Sequence, residues 1–145
     1  MRIITDTIIS GFREEMESLF DISIPKINVC ILSVEEFKHF KDADWLVGFA
    51  FPRKRSVFVI EEADSGRSHD EWLKIIKHEI VHIFYELKFQ TGNPRWFNEG
   101  LANYLSGQNK KIVDVDIKTL LKYHSTADEE IYSVGYSAIK KLLEK

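Results

Sequence analysis

The sequence predicts an α+β fold, with strands in the first half of the chain and helices alone in the second half. Apolar runs rich in β-branched and aromatic residues, typical of strands, occur between positions 27 and 60. The strongest helical pattern, His69–Phe89, is apolar over much of its circumference, which indicates a helix through the core. We therefore expect a small mixed β-sheet packed on this long helix, followed by an all-helical half.

The segment before position 41 is predicted to be helix, strand and helix. Apolar residues recur at helical spacing through the first twenty residues, which indicates one amphipathic helix there. Residues 27–32 form a β-branched run that suits a buried strand. Ser33 and Glu36 then have the spacing of a capping box, which predicts a short helix through Phe40.

A hairpin is predicted next. Two apolar runs, Trp45–Phe51 and Ser56–Ile60, are joined by Pro52–Arg55. The three cations of this turn, Arg53, Lys54 and Arg55, could dock an acidic partner, although a solvated charged turn is the commoner arrangement. We expect a polar loop at residues 64–67, before the long helix begins.

The second half is predicted to contain three helices. The first begins near Pro94, after a Gly-Asn-Pro stop signal, and ends at Gly107. The second lies around Asp116–Tyr123, and the last runs from about Asp128 to the C-terminus. Because no repeat or linker divides the chain, we expect residues 1–145 to form a single domain.

Composition excludes several classes of partner. The 145 residues are 44% hydrophobic and 30% charged, which is ordinary for a globular protein, and the net charge of −3 offers no global positive field. We therefore expect neither nucleic acid nor a membrane as partner.

The lone Cys30 precludes an internal disulfide. The chain has no signal-like start and no run of roughly 18 apolar residues, so we expect a cytoplasmic protein.

The long helix carries an H-E-x-x-H pattern at His78, Glu79 and His82. Residues four apart on a helix are separated by about 40° around the axis and about 6 Å along it, so both imidazoles project toward one point. With a third protein ligand, a zinc ion keeps one position for water and lowers the pKa of that water toward about 7. Glu79 lies beside that open position, where a general base belongs.

The third ligand must come from another segment, because a further residue on this helix would climb away from the ion. Glu86 stands a full turn beyond His82 and is the weaker alternative; Glu99 is the preferred candidate. The metzincin pattern is excluded, since it requires glycine and histidine where Tyr85 and Lys88 stand. Two histidines and a carboxylate also suit Fe(II), Co(II) or Mn(II).

The segment H-E-I-V-H, followed by W-F-N-E-G-L-A at residues 96–102, resembles the gluzincin metallopeptidases. This clan includes thermolysin-like and aminopeptidase-like enzymes with a peptidase MA-like domain. The resemblance implies a zincin-like fold and one Zn²⁺ held by His78, His82 and Glu99, with Glu79 as the general base. It also implies a hydrolase that cleaves peptide bonds in a peptide or protein substrate.

Three weaker matches extend the resemblance. The Y-x-x-G segment at Tyr132 resembles a stretch on a later helix of the aminopeptidase branch, whose tyrosine hydroxyl donates a hydrogen bond to the oxyanion of the tetrahedral intermediate. The alternative is that Tyr132 is an aromatic residue of the core. Tyr136 and His124 are competing candidates for the same role. The strand at Gly48–Phe51 looks like the edge that pairs with an extended substrate. Asn103 stands where relatives carry an acidic residue that orients a metal-bound histidine.

A second function is compatible with the same residues. The segment after Glu99 is short, and Asn103 is an amide where the resemblance implies an acid. Both features suit a zinc-bearing binding or regulatory module that has kept the fold and lost efficient catalysis. An aminopeptidase is not inferred, because no G-x-M-E-N type segment is present to hold a free amine.

Overall fold

The computed structural model describes residues 1–4, 7–41, 46–90, 93–120 and 128–144. Its backbone divides into two compact units, Met1–Gln90 and Thr91–Lys145, and each is described by itself. The first unit contains a four-stranded sheet with helices, and the elements described in the second unit are helical. The α+β class predicted from the sequence is therefore confirmed, whereas the single domain over residues 1–145 stays a prediction.

The first unit is built on a small mixed sheet. Its strand order is β1-β2-β4-β3, in which β2 and β4 are parallel and the other two pairs are antiparallel. The sequence prediction of a small mixed sheet in the first half is confirmed. The elements are β1 (Arg2–Ile4), α1 (Thr7–Phe20), β2 (Asn28–Leu32), α2 (Val34–Phe40), β3 (Gly48–Phe51), a 3₁₀ turn (Pro52–Lys54), β4 (Ser56–Ile60), α3 (Glu62–Ser65) and α4 (His69–Phe89).

The two faces of this sheet are covered by different helices. Residues in register share a face, so Gly48, Val59 and Ile31 lie on the face that contacts α4. Val59 and Ile31 are buried there. On the other face Phe49 and Phe58 stack with ring centroids 5.0 Å apart, and α2 contacts them from above. The long helix therefore packs on the sheet as the sequence predicts.

The start of the chain corrects one prediction. The first twenty residues were expected to form a helix, but Arg2–Ile4 is an edge strand paired antiparallel with residues 29–31 of β2. The helix begins at Thr7. Ile4 fits the apolar period of α1, and over three residues that period cannot be told from a β-pattern. Long-range pairing with β2 decided the outcome.

Two further boundaries differ from the sequence prediction. The expected polar loop at residues 64–67 partly belongs to α3, a single turn that ends at Gly66 with φ of 68°. The strand expected from Trp45 is seen from Gly48, and Trp45 lies outside the described residues. Both differences fall at element ends, where local pattern specifies least.

Capping boxes start both α2 and α4. The Ser33 hydroxyl accepts the backbone N–H of Glu36, and the Glu36 carboxylate accepts that of Ser33, as predicted. Ser68 and Glu71 make the same reciprocal pair at the start of α4, at 3.2 and 3.1 Å. The expected bounds of the long helix, His69–Phe89, are confirmed.

The second unit contains α5 (Arg95–Ser106), α6 (Ile117–Leu120) and α7 (Asp128–Leu143). Gly107 ends α5 with φ of 79°, as predicted. The helix expected at Asp116–Tyr123 is represented by α6, and its part beyond residue 120 lies outside the described residues. An apolar cluster joins the unit: Trp96, Val115, Leu120, Ile131 and Ala138.

None of the helices among the described residues combines sufficient length with sufficient apolarity to cross a bilayer.

Candidate metal centre

The helix α4 brings together His78, Glu79 and His82, here called the His-Glu-His cluster. The ligand atoms of these residues lie within 4.8 Å of one another. The Nε2 atoms of the two histidines are 3.0 Å apart, and their rings meet edge to face with centroids separated by 4.8 Å. Among the described residues, no other group of three or more His, Cys, Asp or Glu side chains is close enough together to hold a metal ion.

The geometry of the cluster fits a shared cation. Two ligand nitrogens at about 2.0–2.1 Å from one zinc ion are about 3.3 Å apart at the tetrahedral angle. The observed separation of 3.0 Å is close to that value. A hydrogen bond between two neutral imidazoles also accounts for the distance, so the fit to a metal rests on the convergence of three donor groups. The donor set does not specify which divalent metal binds.

Glu79 lies at the contact between α4 and β3 and is 9% exposed. A Cβ added at Gly48 would lie 3.8 Å from Cγ of Glu79, 3.3 Å from the carbonyl oxygen of Phe58 and 3.0 Å from Cγ2 of Ile75. The absence of a side chain at Gly48 therefore lets β3 approach the helix closely at the level of Glu79, and a larger residue there would require Ile75 or the strand to shift slightly. Sequence reasoning singled out Gly48 as part of an edge strand and missed this contact.

The rest of α4 anchors the cluster. Ile76, Ile80 and Ile83 are fully buried, whereas His78 and His82 are partly exposed on the same helix. Lys77 ties α4 to α1 through an ion pair with Glu15, with N···O of 2.9 Å. The two histidines thus project from a helix that packing holds in place, which preorganises their separation.

Tyr85 occupies the position where a metzincin would have glycine. It is 6% exposed, and burial raises the pKa of its phenol. Its ring packs on Phe89 with centroids 5.2 Å apart. Its large buried side chain agrees with the exclusion of the metzincin pattern drawn from the sequence.

The candidates for the third ligand lie on different elements. Glu99 is on α5, in the second unit, and is half-buried. Glu86 is on the last turns of α4 and is exposed. The predicted ligand set therefore draws on both units, and the assignment of Glu99 stays a prediction.

Within the second unit, Glu99 stands next to a contact between two helix backbones. A Cβ added at Gly100 of α5 would lie 2.3 Å from the backbone of Gly135 in α7. A Cβ added at Gly135 would lie 2.1 Å from the carbonyl oxygen of Trp96. Gly100 of the N-E-G-L-A segment and Gly135 of the Y-x-x-G segment are distant in the sequence, but together they allow the backbones of α5 and α7 to cross in contact.

Tyr132 lies on α7, one turn before this crossing. It is half-buried against the apolar cluster of the second unit, and Arg95 and Lys110 lie over its ring at 6.0 and 5.5 Å from the centroid. Tyr136 is buried, and its hydroxyl donates to Oδ1 of Asn109 at 2.8 Å. His124 lies outside the described residues. The oxyanion role of Tyr132 stays a prediction.

Asn103 lies on α5, one turn after Glu99. It is 2% exposed, and within the described part of the chain its Nδ2 atom has no hydrogen-bond partner. Leaving a buried donor unsatisfied costs about 1–3 kcal/mol, so the position is costly unless a partner is supplied. The role of Asn103 in orienting a histidine stays a prediction.

Comparison of the chain with protein families, with curated proteins and with solved structures found no match. The described residues provide a mixed α+β framework and a His-Glu-His cluster that could bind a metal ion.

Proposed function

We propose that this protein is a zinc-dependent metallopeptidase of the gluzincin type, with a zincin-like fold. One Zn²⁺ would be held by His78, His82 and Glu99. The observation that carries the proposal is the convergence of the two Nε2 atoms to 3.0 Å, with the carboxylate of Glu79 in the same cluster. This arrangement supplies metal ligands and a base together.

The residues of the cluster have distinct roles in hydrolysis. Zinc, when bound, supplies Lewis acidity and brings the pKa of a water molecule toward neutrality. Glu79 takes a proton from the attacking water and later delivers it to the leaving amine. Its buried position against β3 restricts its rotamers and keeps the carboxylate at the cluster.

Two other elements would handle the substrate. Tyr132 would donate a hydrogen bond to the carbonyl oxygen as negative charge develops on it. Support comes from the competing tyrosine, since the Tyr136 hydroxyl already donates to Asn109. A peptide would pair with β3, which is the last strand in the sheet order and so has an outer edge.

Replacing the base tests the mechanism. Glu79→Gln should retain zinc and lose peptide hydrolysis by at least about a hundredfold in kcat, because the amide cannot accept the proton. Turnover of a quenched fluorescent peptide library and zinc content by mass spectrometry measure the two properties separately. Glu35→Gln, at an exposed glutamate on α2 outside the cluster, is the matched control and should change neither. Full activity in Glu79→Gln would contradict the mechanism.

The third ligand needs its own comparison. Glu99→Gln should weaken zinc binding more than about a hundredfold, since even loss of a group that only supports a ligand costs 10- to 100-fold. Titration with a chromogenic chelator measures the affinity of Glu99→Gln and of Glu86→Gln, the variant of the weaker candidate ligand, which should bind zinc as the unmodified protein does. Loss of zinc in Glu86→Gln, with retention in Glu99→Gln, would assign the third ligand to Glu86.

The second candidate function is a zinc-bearing binding or regulatory module without efficient catalysis. Asn103 favours it, because a buried amide would raise the basicity of a metal-bound histidine less than a carboxylate would. The same library assay discriminates the two functions. Stoichiometric zinc without turnover in the unmodified protein, together with a stable partner, would support the module.

A further inference from the structure

The turn after β3 concentrates positive charge at one end of the sheet. Arg53, Lys54 and Arg55, here called the basic turn, are all exposed. None of the three forms an ion pair with a carboxylate in the described part of the chain, whereas Lys74 and Lys77 on α4 both do. This local positive charge stands out because the chain as a whole carries a net charge of −3.

The contacts between the sheet and α4 show where the basic turn lies. Trp72 donates its indole N–H to the carbonyl of Ile60, and Ile60 donates its backbone N–H to the carbonyl of Val47. Gly48, the next residue, faces Ile75 and Glu79. The strand β3 and the helix therefore advance in the same direction, from the start of α4 toward its end.

The distances along both elements extend this order. From Gly48 to Phe51 the strand advances about 10 Å, which equals about seven residues of helix. The 3₁₀ turn that follows also contacts α4. The basic turn consequently lies at the part of α4 that follows Glu79, the half that carries His82.

We infer that the basic turn selects acidic peptides for the edge of β3. The inference rests on the proposed function, because it takes the peptide paired with β3 to be the substrate. A peptide extended along β3 passes Glu79 and ends at the basic turn. Aspartate or glutamate side chains at that end meet three exposed cations, none of which is paired with a carboxylate in the described part of the chain.

Phe51 adds an apolar contact at the same end. It is the last residue of β3 and is 47% exposed. An acidic side chain followed or preceded by an apolar one would therefore find both a cation and a ring. The basic turn thus accepts a class of peptide, Asp- or Glu-containing and partly apolar, that a neutral turn would not distinguish from others.

The test measures binding separately from hydrolysis. Zinc-loaded Glu79→Gln protein is titrated against two fluorescein-labelled peptides that differ only in Glu versus Gln at two positions near one end. Anisotropy should show the acidic peptide bound about tenfold more tightly at low salt, the effect of two or three exposed ion pairs. The preference should shrink at high salt, because exposed charges are screened.

A charge-reversal triple locates the effect. Arg53→Glu, Lys54→Glu and Arg55→Glu together should abolish or invert the preference. The matched control reverses Lys38, Lys111 and Lys118, which are exposed and lie outside the basic turn, and so changes the net charge equally. The control triple should keep most of the preference. Circular dichroism and zinc content verify that both triples remain folded and loaded.

Several outcomes would overturn the inference. They are equal affinity for both peptides, no binding of either peptide, an equal loss of preference in both triples, and binding to anionic vesicles in place of the acidic peptide. Hydrolysis without charge preference would overturn the inference and leave the proposed peptidase intact. Charge-selective binding with no hydrolysis by the unmodified protein would contradict the proposed peptidase and leave the charge selectivity of the β3 edge intact.

Discussion

The His-Glu-His cluster and the crossing of α5 with α7 are built in opposite ways. In the cluster, three side chains on one helix converge, with the two Nε2 atoms 3.0 Å apart. At the crossing, two helix backbones touch because side chains are missing, and an added Cβ would lie 2.1 to 2.3 Å from the backbone of the other helix. The cluster depends on side chains that helical spacing places together, whereas the crossing depends on the absence of side chains at two glycines.

This difference decides how each region responds to substitution. A side chain of the cluster can be replaced without moving the helix, since buried isoleucines such as Ile76 and Ile80 hold α4 in place. A methyl group at the crossing has no space, and the obstructing atoms are backbone. We therefore expect changes in the cluster to affect ligand binding and changes at the crossing to affect stability.

The largest expected effect is at the crossing. Gly135→Ala should lower the free energy of unfolding by about 3 kcal/mol, because the new methyl group collides with the carbonyl oxygen of Trp96. Urea denaturation followed by circular dichroism measures it. Gly11→Ala is the control, because Gly11 lies within α1 and a Cβ added there would have no atom within 4 Å. Alanine at this position should raise the free energy of unfolding by about 0.5 to 1 kcal/mol. Equal effects at both glycines would show that the backbone contact is not tight.

The second-largest expected effect concerns stabilisation of the protein by zinc bound at the cluster. Zinc should stabilise the unmodified protein by about 2.7 kcal/mol when free zinc is roughly a hundred times its dissociation constant. His82→Ala should remove this gain while changing the stability of the metal-free protein much less, since His82 is partly exposed. Urea denaturation with zinc and with a chelator gives both quantities. A zinc-dependent gain that persists in His82→Ala would place the metal elsewhere.

The smallest effect concerns the start of the helix that carries the cluster. The Glu71 carboxylate accepts the backbone N–H of Ser68, which lowers the pKa of that carboxyl. A carboxyl whose pKa is lowered by folding stabilises the protein above its unfolded pKa, and the contribution is lost as pH falls through the folded pKa. Glu71→Gln should therefore be less stable at pH 7, and the difference should shrink below the ordinary value of 4.5.

Urea denaturation at pH 7, 4 and 3 follows this difference. Glu35→Gln, an exposed carboxylate at the second position of α2, is the control, because it occupies no capping-box position. A difference that stays constant with pH would mean that Glu71 acts through its size or polarity and not through its charge.

Local pattern was sufficient for most of the elements. The bounds of α4, the capping box of α2 and the end of α5 at Gly107 follow from residues adjacent in the chain, and all three predictions are confirmed. Arg2–Ile4 was wrongly assigned to a helix because its strand exists only through pairing with β2. A three-residue segment carries too little pattern to reveal such a partner.

The metal-binding potential of the helix follows from the sequence alone, because residues four apart on an α-helix lie on the same face, one turn from each other. The sequence also determined the α+β class and the order of the larger elements. Three features depend instead on tertiary packing: the contact of Gly48 with Glu79, the close approach of Gly100 to Gly135, and the contact of the 3₁₀ turn with α4. Each joins segments distant in the chain, and close approach of backbones leaves no periodic signal in a sequence.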